Sequence, residues 1–172
     1  YTHEDGILSH NSVSAITIDP QGRLWVGTWG GGINLLDQKN PRHVLMTIFS
    51  PSDDNKYPGS FIGALTYDSI NNGMWIGTNQ GIYFYDLQQS KFILPLPEQV
   101  NANIRGCIGS LVDKEGHLWM GCMDGVYIID LHTRPQSDDN TYFEYRHLKY
   151  KLAPPTSRQV EKITCMYPVS YT

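Results

Sequence analysis

Along this chain short apolar blocks alternate with clusters of turn residues. Val13-Ser14-Ala15-Ile16-Thr17-Ile18 alternates and is rich in β-branched residues, which predicts a strand. Asp19-Pro20-Gln21-Gly22 is a turn, in which Asp can accept from the backbone two residues on and Gly can take positive φ. Leu24–Thr28 and Gly32–Asp37 predict a second and third strand around the Trp29–Gly31 connection, and Val44–Phe49 a fourth after the Gln38–Arg42 loop. The same pattern predicts strands at Ile62–Tyr67, Met74–Thr78, Ile82–Asp86 and near Phe92–Leu94. It predicts four more at Cys107–Asp113, Leu118–Gly121, Val126–Asp130 and Tyr142–Leu148. Pro95–Asn103 reads as a link, and His132–Thr141 as a long, mobile connection.

One segment recurs within this pattern. Asp19, Gly22, Trp25 and Gly27 return as Asp68, Gly73, Trp75 and Gly77, with one extra residue in the turn, and again as Asp113, Gly116, Trp119 and Gly121. The tryptophans stand 50 and 44 residues apart, a spacing that marks solenoids or propeller blades. Four sequential antiparallel strands form a meander, and one meander is one blade. The expected fold is all-β: a β-propeller fragment of about three four-stranded antiparallel blades plus the first strand of a fourth. Blade 1 covers 1–50, blade 2 51–97 and blade 3 98–150, with a linker and the extra strand in 151–172. Inner strands lie between neighbouring blades, so runs such as Gly125–Ile129 need not alternate. Trp would fill the wedge between blades, and Gly27, Gly77 and Gly121 would admit a close neighbour. The first strand of each blade is expected nearest the central axis.

Composition narrows the classes. The chain has 172 residues, 40% hydrophobic and 17% charged, with 16 Gly and 11 Tyr, which suits an all-β protein with tight turns and argues against disorder. A net charge of -4 and the lack of a basic run exclude a general attraction to nucleic acid. Cys107, Cys122 and Cys165 do not form a zinc or disulfide framework by spacing, and the expectation is free, buried thiols at the two strand positions. The start at Tyr1 and the end at Thr172 suggest a piece of a longer protein.

The pattern Asp-x-x-Gly-x-Leu-Trp-x-Gly-Thr, then Gly-Gly-Ile and a Leu or aromatic before Asp, resembles the two-component regulator propeller repeat. The lead-in Asp5-Gly6-Ile7-Leu8-Ser9-His10-Asn11-Ser12-Val13 resembles the way such repeats begin. The resemblance implies part of a large propeller in the periplasmic sensor region of a hybrid histidine kinase of Bacteroides-type bacteria, anchored in the inner membrane and responsive to oligosaccharides. The remaining blades of the parent chain would then be partners. The sialidase Asp-box has one residue fewer between Asp and Gly, a WD repeat would need a Trp-Asp pair, and the quinoprotein docking pattern is unmatched.

No nucleophile elbow, zinc-protease helix, phosphate loop or calcium loop is present, so neither catalytic residues nor metal or cofactor are expected. The six histidines (His3, His10, His43, His117, His132, His147) read as scattered surface residues, and Asp53-Asp54 as a solvated loop. The recurring Asp19, Asp68 and Asp113 read as turn caps. Connections into first strands and between second and third strands share one rim of a propeller, where binding concentrates. That rule gathers His10, Asn11, Trp29, Asn79, Gln80, Arg105, Met123 and Asp124. Trp29 lies outside the repeat position, in a Gly-rich connection, where its ring either stacks on a sugar or caps a neighbouring surface. The expected function is a non-enzymatic sensor module; the alternatives are a propeller enzyme acting on polysaccharide, with active residues elsewhere, and a dimerisation scaffold. Bare blade faces lead to the further expectation of self-association.

Overall fold

A computed structural model describes residues 6–40, 42–48, 60–135 and 142–149. Among the described residues, twelve strands form three antiparallel sheets of four, each a meander in chain order. The first holds β1 (Val13–Ile18), β2 (Arg23–Thr28), β3 (Ile33–Asp37) and β4 (Val44–Ile48). The second holds β5 (Ile62–Asp68), β6 (Gly73–Thr78), β7 (Gly81–Asp86) and β8 (Lys91–Ile93). The third holds β9 (Gly109–Val112), β10 (His117–Cys122), β11 (Gly125–Asp130) and β12 (Tyr145–Lys149). The first strands converge, β1 against β5 and β5 against β9, which is how blades meet around an axis. The suggested strand of a fourth blade, Cys165, His3 and Asp53-Asp54 lie outside the described residues.

The hairpins form where the turn chemistry directs. Asp19 Oδ1 accepts from the backbone of Gln21 at 3.0 Å and Arg23 at 2.9 Å, while Gly22 takes φ 74°. Asp113 and Gly116 repeat this arrangement, with Gly116 at φ 79°. In the second repeat the extra residue changes the roles. Asn72 takes the left-handed conformation at φ 48°, whereas Gly73 opens β6 and faces the Phe84 ring; a Cβ there would lie 2.0 Å from Phe84 Cζ. Gly73 is therefore required for ring packing, not for the turn.

Each Asp has a second task that its position in a turn conceals. The indole N–H of Trp25 donates to Asp19 Oδ2 at 2.9 Å, that of Trp75 to Asp68 Oδ2 at 3.0 Å, and that of Trp119 to Asp113 Oδ2 at 2.7 Å. One carboxylate thus closes the turn with one oxygen and orients the tryptophan with the other. Trp25, Ile33 and Leu35 pack on Ile62, Met74, Ile76, Tyr83 and Tyr85 of the second sheet. Trp75 and Phe84 pack on Leu118, Met120, Tyr127, Ile129 and Phe143 of the third. Trp119 has the same local geometry but is only partly covered. The middle sheet, flanked on both sides, has β6 and β7 buried along their whole lengths. The outward positions of β1, by contrast, leave Ile16 and Ile18 exposed.

Four expectations are corrected. Cys107 and Cys122 are not free thiols: they form a disulfide, because the Gly121–Gly109 pairing and the bond from Ile108 N to Gly121 O bring the two side by side. The third blade's first strand starts at Gly109, since the amide of Cys107 donates to Thr78 O of the neighbouring sheet. Its last strand starts at Tyr145, because Phe143 enters the core and its amide donates to Pro95 O. The Pro95–Asn103 link contains a one-turn helix, α1 (Glu98–Asn101), whose buried Asn101 accepts from the Ile82 amide at 2.8 Å. A 3-10 turn, Leu131–Thr133, follows β11; beyond it Arg134 pairs with Asp86, donates to Asn71 O at 2.9 Å and lies over the Phe84 ring.

Candidate functional site

One rim of the three sheets is stitched by backbone bonds. Trp29 N donates to Ser12 O at 2.9 Å, Asn79 N to Phe61 O at 3.1 Å and Met123 N to Arg105 O at 3.0 Å, tying each β2–β3-type hairpin to the lead-in of its own sheet. Gly30 N and Gly32 N donate to Ser60 O, and Cys107 N to Thr78 O, tying the first hairpin to the second sheet and the second hairpin to the third. These bonds leave the side chains of Trp29, Phe61 and Met123 to project from the rim, at 54%, 45% and 57% exposure.

Between them lies a cleft of about 700 Å³, lined by Ser12, Val13 and Ser14 from the first sheet's lead strand, Trp29, Phe61 and Gly63, Asn79, the Gly106–Ile108 lead-in and Met123. Its volume is in the range of small-molecule sites. Trp29 and Phe61 form a backbone bridge and meet edge to face, ring centroids 6.4 Å apart. Gly63 forms part of the floor, where a Cβ would lie 2.0 Å from Cys107 O. Gly106, at φ 58°, lets Met123 lie over its backbone. Ser14 Oγ is engaged, donating to the carbonyls of Ile62 and Gly27. Asn79 Oδ1 is shielded and has no hydrogen-bond partner among the described residues.

Of the rim residues singled out in the sequence, the structure brings Trp29, Asn79 and Met123 into this cleft. His10 accepts from Ser12 N through Nδ1 at 3.0 Å and approaches Gly30 outside the lining, and Asn11 is likewise outside it. Gln80 is exposed beyond Asn79, and Arg105 folds back onto the carbonyls of Ala102 and Ile104. Asp124 accepts from the Tyr127 hydroxyl at 2.7 Å and lies 3.4 Å from His147 Nε2, while His147 stacks on Tyr127 at 4.0 Å. His147 is thus part of a packed cluster, not a loose surface histidine. Burial, and then the Asp124 carboxylate, push the Tyr127 phenol well above its usual range. Phe61 also lines the cleft although the rim rule does not gather it; its signal is its place immediately before β5, matching Ser12 before β1.

On the opposite side, two carboxylates are held below the usual range. Burial alone would raise Asp86, but the Gln89 amide, Arg134 and the Gln88 amide outweigh it. Burial would also raise Asp113, and the Trp119 indole, the His117 amide and the His117 ring outweigh it. Both groups act within the scaffold and lie away from the cleft.

Three consecutive meanders with converging first strands define the class: a β-propeller fragment. Residues 7–30 match the family model described as Two component regulator propeller, so this stretch carries that repeat. The chain is similar in structure to the extracellular domain of BT3049 from B. thetaiotaomicron, assigned to a hybrid two-component system, with 19% identity and a TM-score of 0.64 over 86% of this chain and 18% of that one. It is also similar to the extracellular domain of BT4673 from B. thetaiotaomicron, with 17% identity and a TM-score of 0.62 over 96% of this chain and 19% of that one. A third likeness is to PorZ, a surface component of the type-IX secretion system of Porphyromonas gingivalis, with 18% identity and a TM-score of 0.57 over 80% of this chain and 19% of that one. The chain spans about a fifth of the length of these structures, and at such identities the likeness is one of fold. No curated protein matches the chain.

Proposed function

We propose that this chain is part of a non-enzymatic extracytoplasmic sensor propeller, taking part in detection of an oligosaccharide and in passing its effect to a histidine kinase of the same polypeptide. The observation that carries this reading is a regulator-propeller repeat whose rim opens into a cleft walled by exposed aromatic rings. Two of the similar structures are extracellular domains assigned to bacterial regulatory systems, which supports the sensor role. The Cys107–Cys122 disulfide supports an oxidising, extracytoplasmic compartment, since disulfides persist where thiols are not kept reduced. The test is a glycan-binding screen on the intact extracytoplasmic region, coupled to a measurement of kinase output. Glycan binding that changes autophosphorylation is expected; glycan cleavage without any change in kinase output would overturn the reading.

The exposed Ile16 and Ile18 on β1 and Leu148 on β12 support a companion reading, in which further blades of the parent or a second copy cover the outer sheets. Light scattering of the isolated chain is expected to show association. A monomer with a cooperative melt would remove that part of the proposal.

A further inference from the structure

Among the described residues, every one that lines the rim cleft is uncharged. Its wall is Trp29, Phe61, Val13, Ile108 and Met123, and its side-chain polarity comes from Ser12, Ser14 and Asn79. Among the described residues at the rim, the Arg105 guanidinium folds back to donate to Ala102 O at 2.5 Å and Ile104 O at 2.8 Å. Among the described residues, the rim carboxylate of Asp124 engages Tyr127 and His147 through Oδ2, while its Oδ1 is shielded and without a partner, outside the lining of the cleft. A carboxylated or sulfated group entering this space would lose part of its hydration and meet no compensating charge among the described lining residues, a cost that neutral hydroxyls largely avoid.

From this arrangement we infer that the cleft binds an uncharged sugar ring, stacked on the half-exposed face of Trp29 and hydrogen-bonded to the amide of Asn79. The inference rests on the oligosaccharide-sensing reading and adds the chemistry of the bound unit. Three features support it. Trp29 is held by the bond from its amide to Ser12 O and by the edge contact with Phe61, so the ring is presented with little ordering left to do on binding. Asn79 Oδ1 is shielded and has no partner among the described residues, so turning the amide about its outer torsion to meet a hydroxyl gives up no hydrogen bond seen there. Met123, long and unbranched above Gly106, can shift to cover the apolar face of the ring.

The test titrates the intact extracytoplasmic region, by calorimetry and tryptophan emission, with neutral xylo-, manno- and gluco-oligosaccharides and with galacturonate and sulfated oligosaccharides. A neutral oligosaccharide is expected to bind with an affinity nearly independent of salt between roughly 50 and 500 mM. Trp29→Ala should weaken it by about tenfold or more, and Asn79→Ala by about fivefold. Both substitutions are at the rim, and an unchanged melting curve shows that the fold survives them. Binding of anionic oligosaccharides alone, falling with salt and lost in Arg105→Ala, would overturn the inference while leaving glycan sensing intact. So would neutral binding that neither Trp29→Ala nor Asn79→Ala weakens. If neither panel binds, the inference and the sensing reading fall together.

Discussion

Replacing Asp68 with Asn changes almost nothing in shape and should nevertheless cost much of the chain's stability. Asp68 is fully buried; Oδ1 accepts from the amides of Ile70 at 2.8 Å and Asn71 at 3.0 Å. Its Oδ2 accepts from Asn71 Nδ2 at 2.9 Å and Trp75 Nε1 at 3.0 Å. All four partners are donors. An Asn side chain can leave its oxygen to the backbone amides only by pointing its own NH₂ at the other two. Trp75 has no exposure, so its indole N–H has no access to water; Asn71 can rotate only by surrendering its 2.8 Å bond to Leu131 O. Hydrogen bonds to a charged acceptor contribute about 1.5–3 kcal/mol each, and a stranded buried donor costs about 1–3 kcal/mol. With partial relaxation, the loss should be about 2–4 kcal/mol, a large share of the roughly 5–15 kcal/mol that holds a domain together. Urea unfolding monitored by tryptophan emission should show a midpoint lower by roughly 1–2 M at an unchanged slope. The partner substitution Trp75→Phe removes one of the conflicting donors, so Asp68→Asn should cost about 1 kcal/mol less in that background. An unchanged midpoint, or strict additivity of the two substitutions, would refute the account of Asp68 as the joint anchor of turn and tryptophan.

Reducing the Cys107–Cys122 disulfide, whose partners are 15 residues apart, should lower stability by about 3 kcal/mol on the loop-entropy estimate, read as a midpoint shift with and without reductant. Intact-mass measurement of the alkylated, unreduced protein should show no label on either residue. Gly63→Ala would place a methyl 2.0 Å from Cys107 O and push β5 away from the third sheet's lead-in; a loss of about 1–3 kcal/mol is expected, with oligosaccharide affinity reduced because the cleft floor moves. For pH, the folded chain depresses Asp86 and Asp113, so the unfolded chain binds protons first as pH falls. Their stabilisation is complete above the unfolded value of 3.8 and is lost as pH drops through the lower folded values. Acid titration followed by circular dichroism should show this loss below about pH 4, and Arg134→Met should remove much of the Asp86 part.

The sensing proposal and the scaffold place their demands on different residues. Asp19, Asp68 and Asp113 recur because each blade needs its tryptophan oriented, and that need is met inside the sheets. The cleft uses residues that do not repeat: Trp29, Asn79 and Met123 occupy comparable hairpin positions with different chemistry. Repetition therefore builds the walls, and departure from repetition supplies whatever selectivity the rim has.

Most of the strands, their grouping into meanders and the tight turns were legible in the residues themselves, because these depend on periodicity and on what Asp and Gly can do within four or five residues. The sequence also pointed to the rim, since the topology of a meander decides which loops share an end. Which rim residues converge depends instead on contacts between sheets. Phe61 joins Trp29 through a bridge between two sheets, and Arg105 and Asp124 turn aside to partners of their own. The disulfide likewise depends on a strand register that spacing alone does not reveal. The roles of Asn72 and Gly73 were hidden for a related reason: a local pattern shows that a turn is present, but the Phe84 ring packed on β6 decides which residue can bear a side chain.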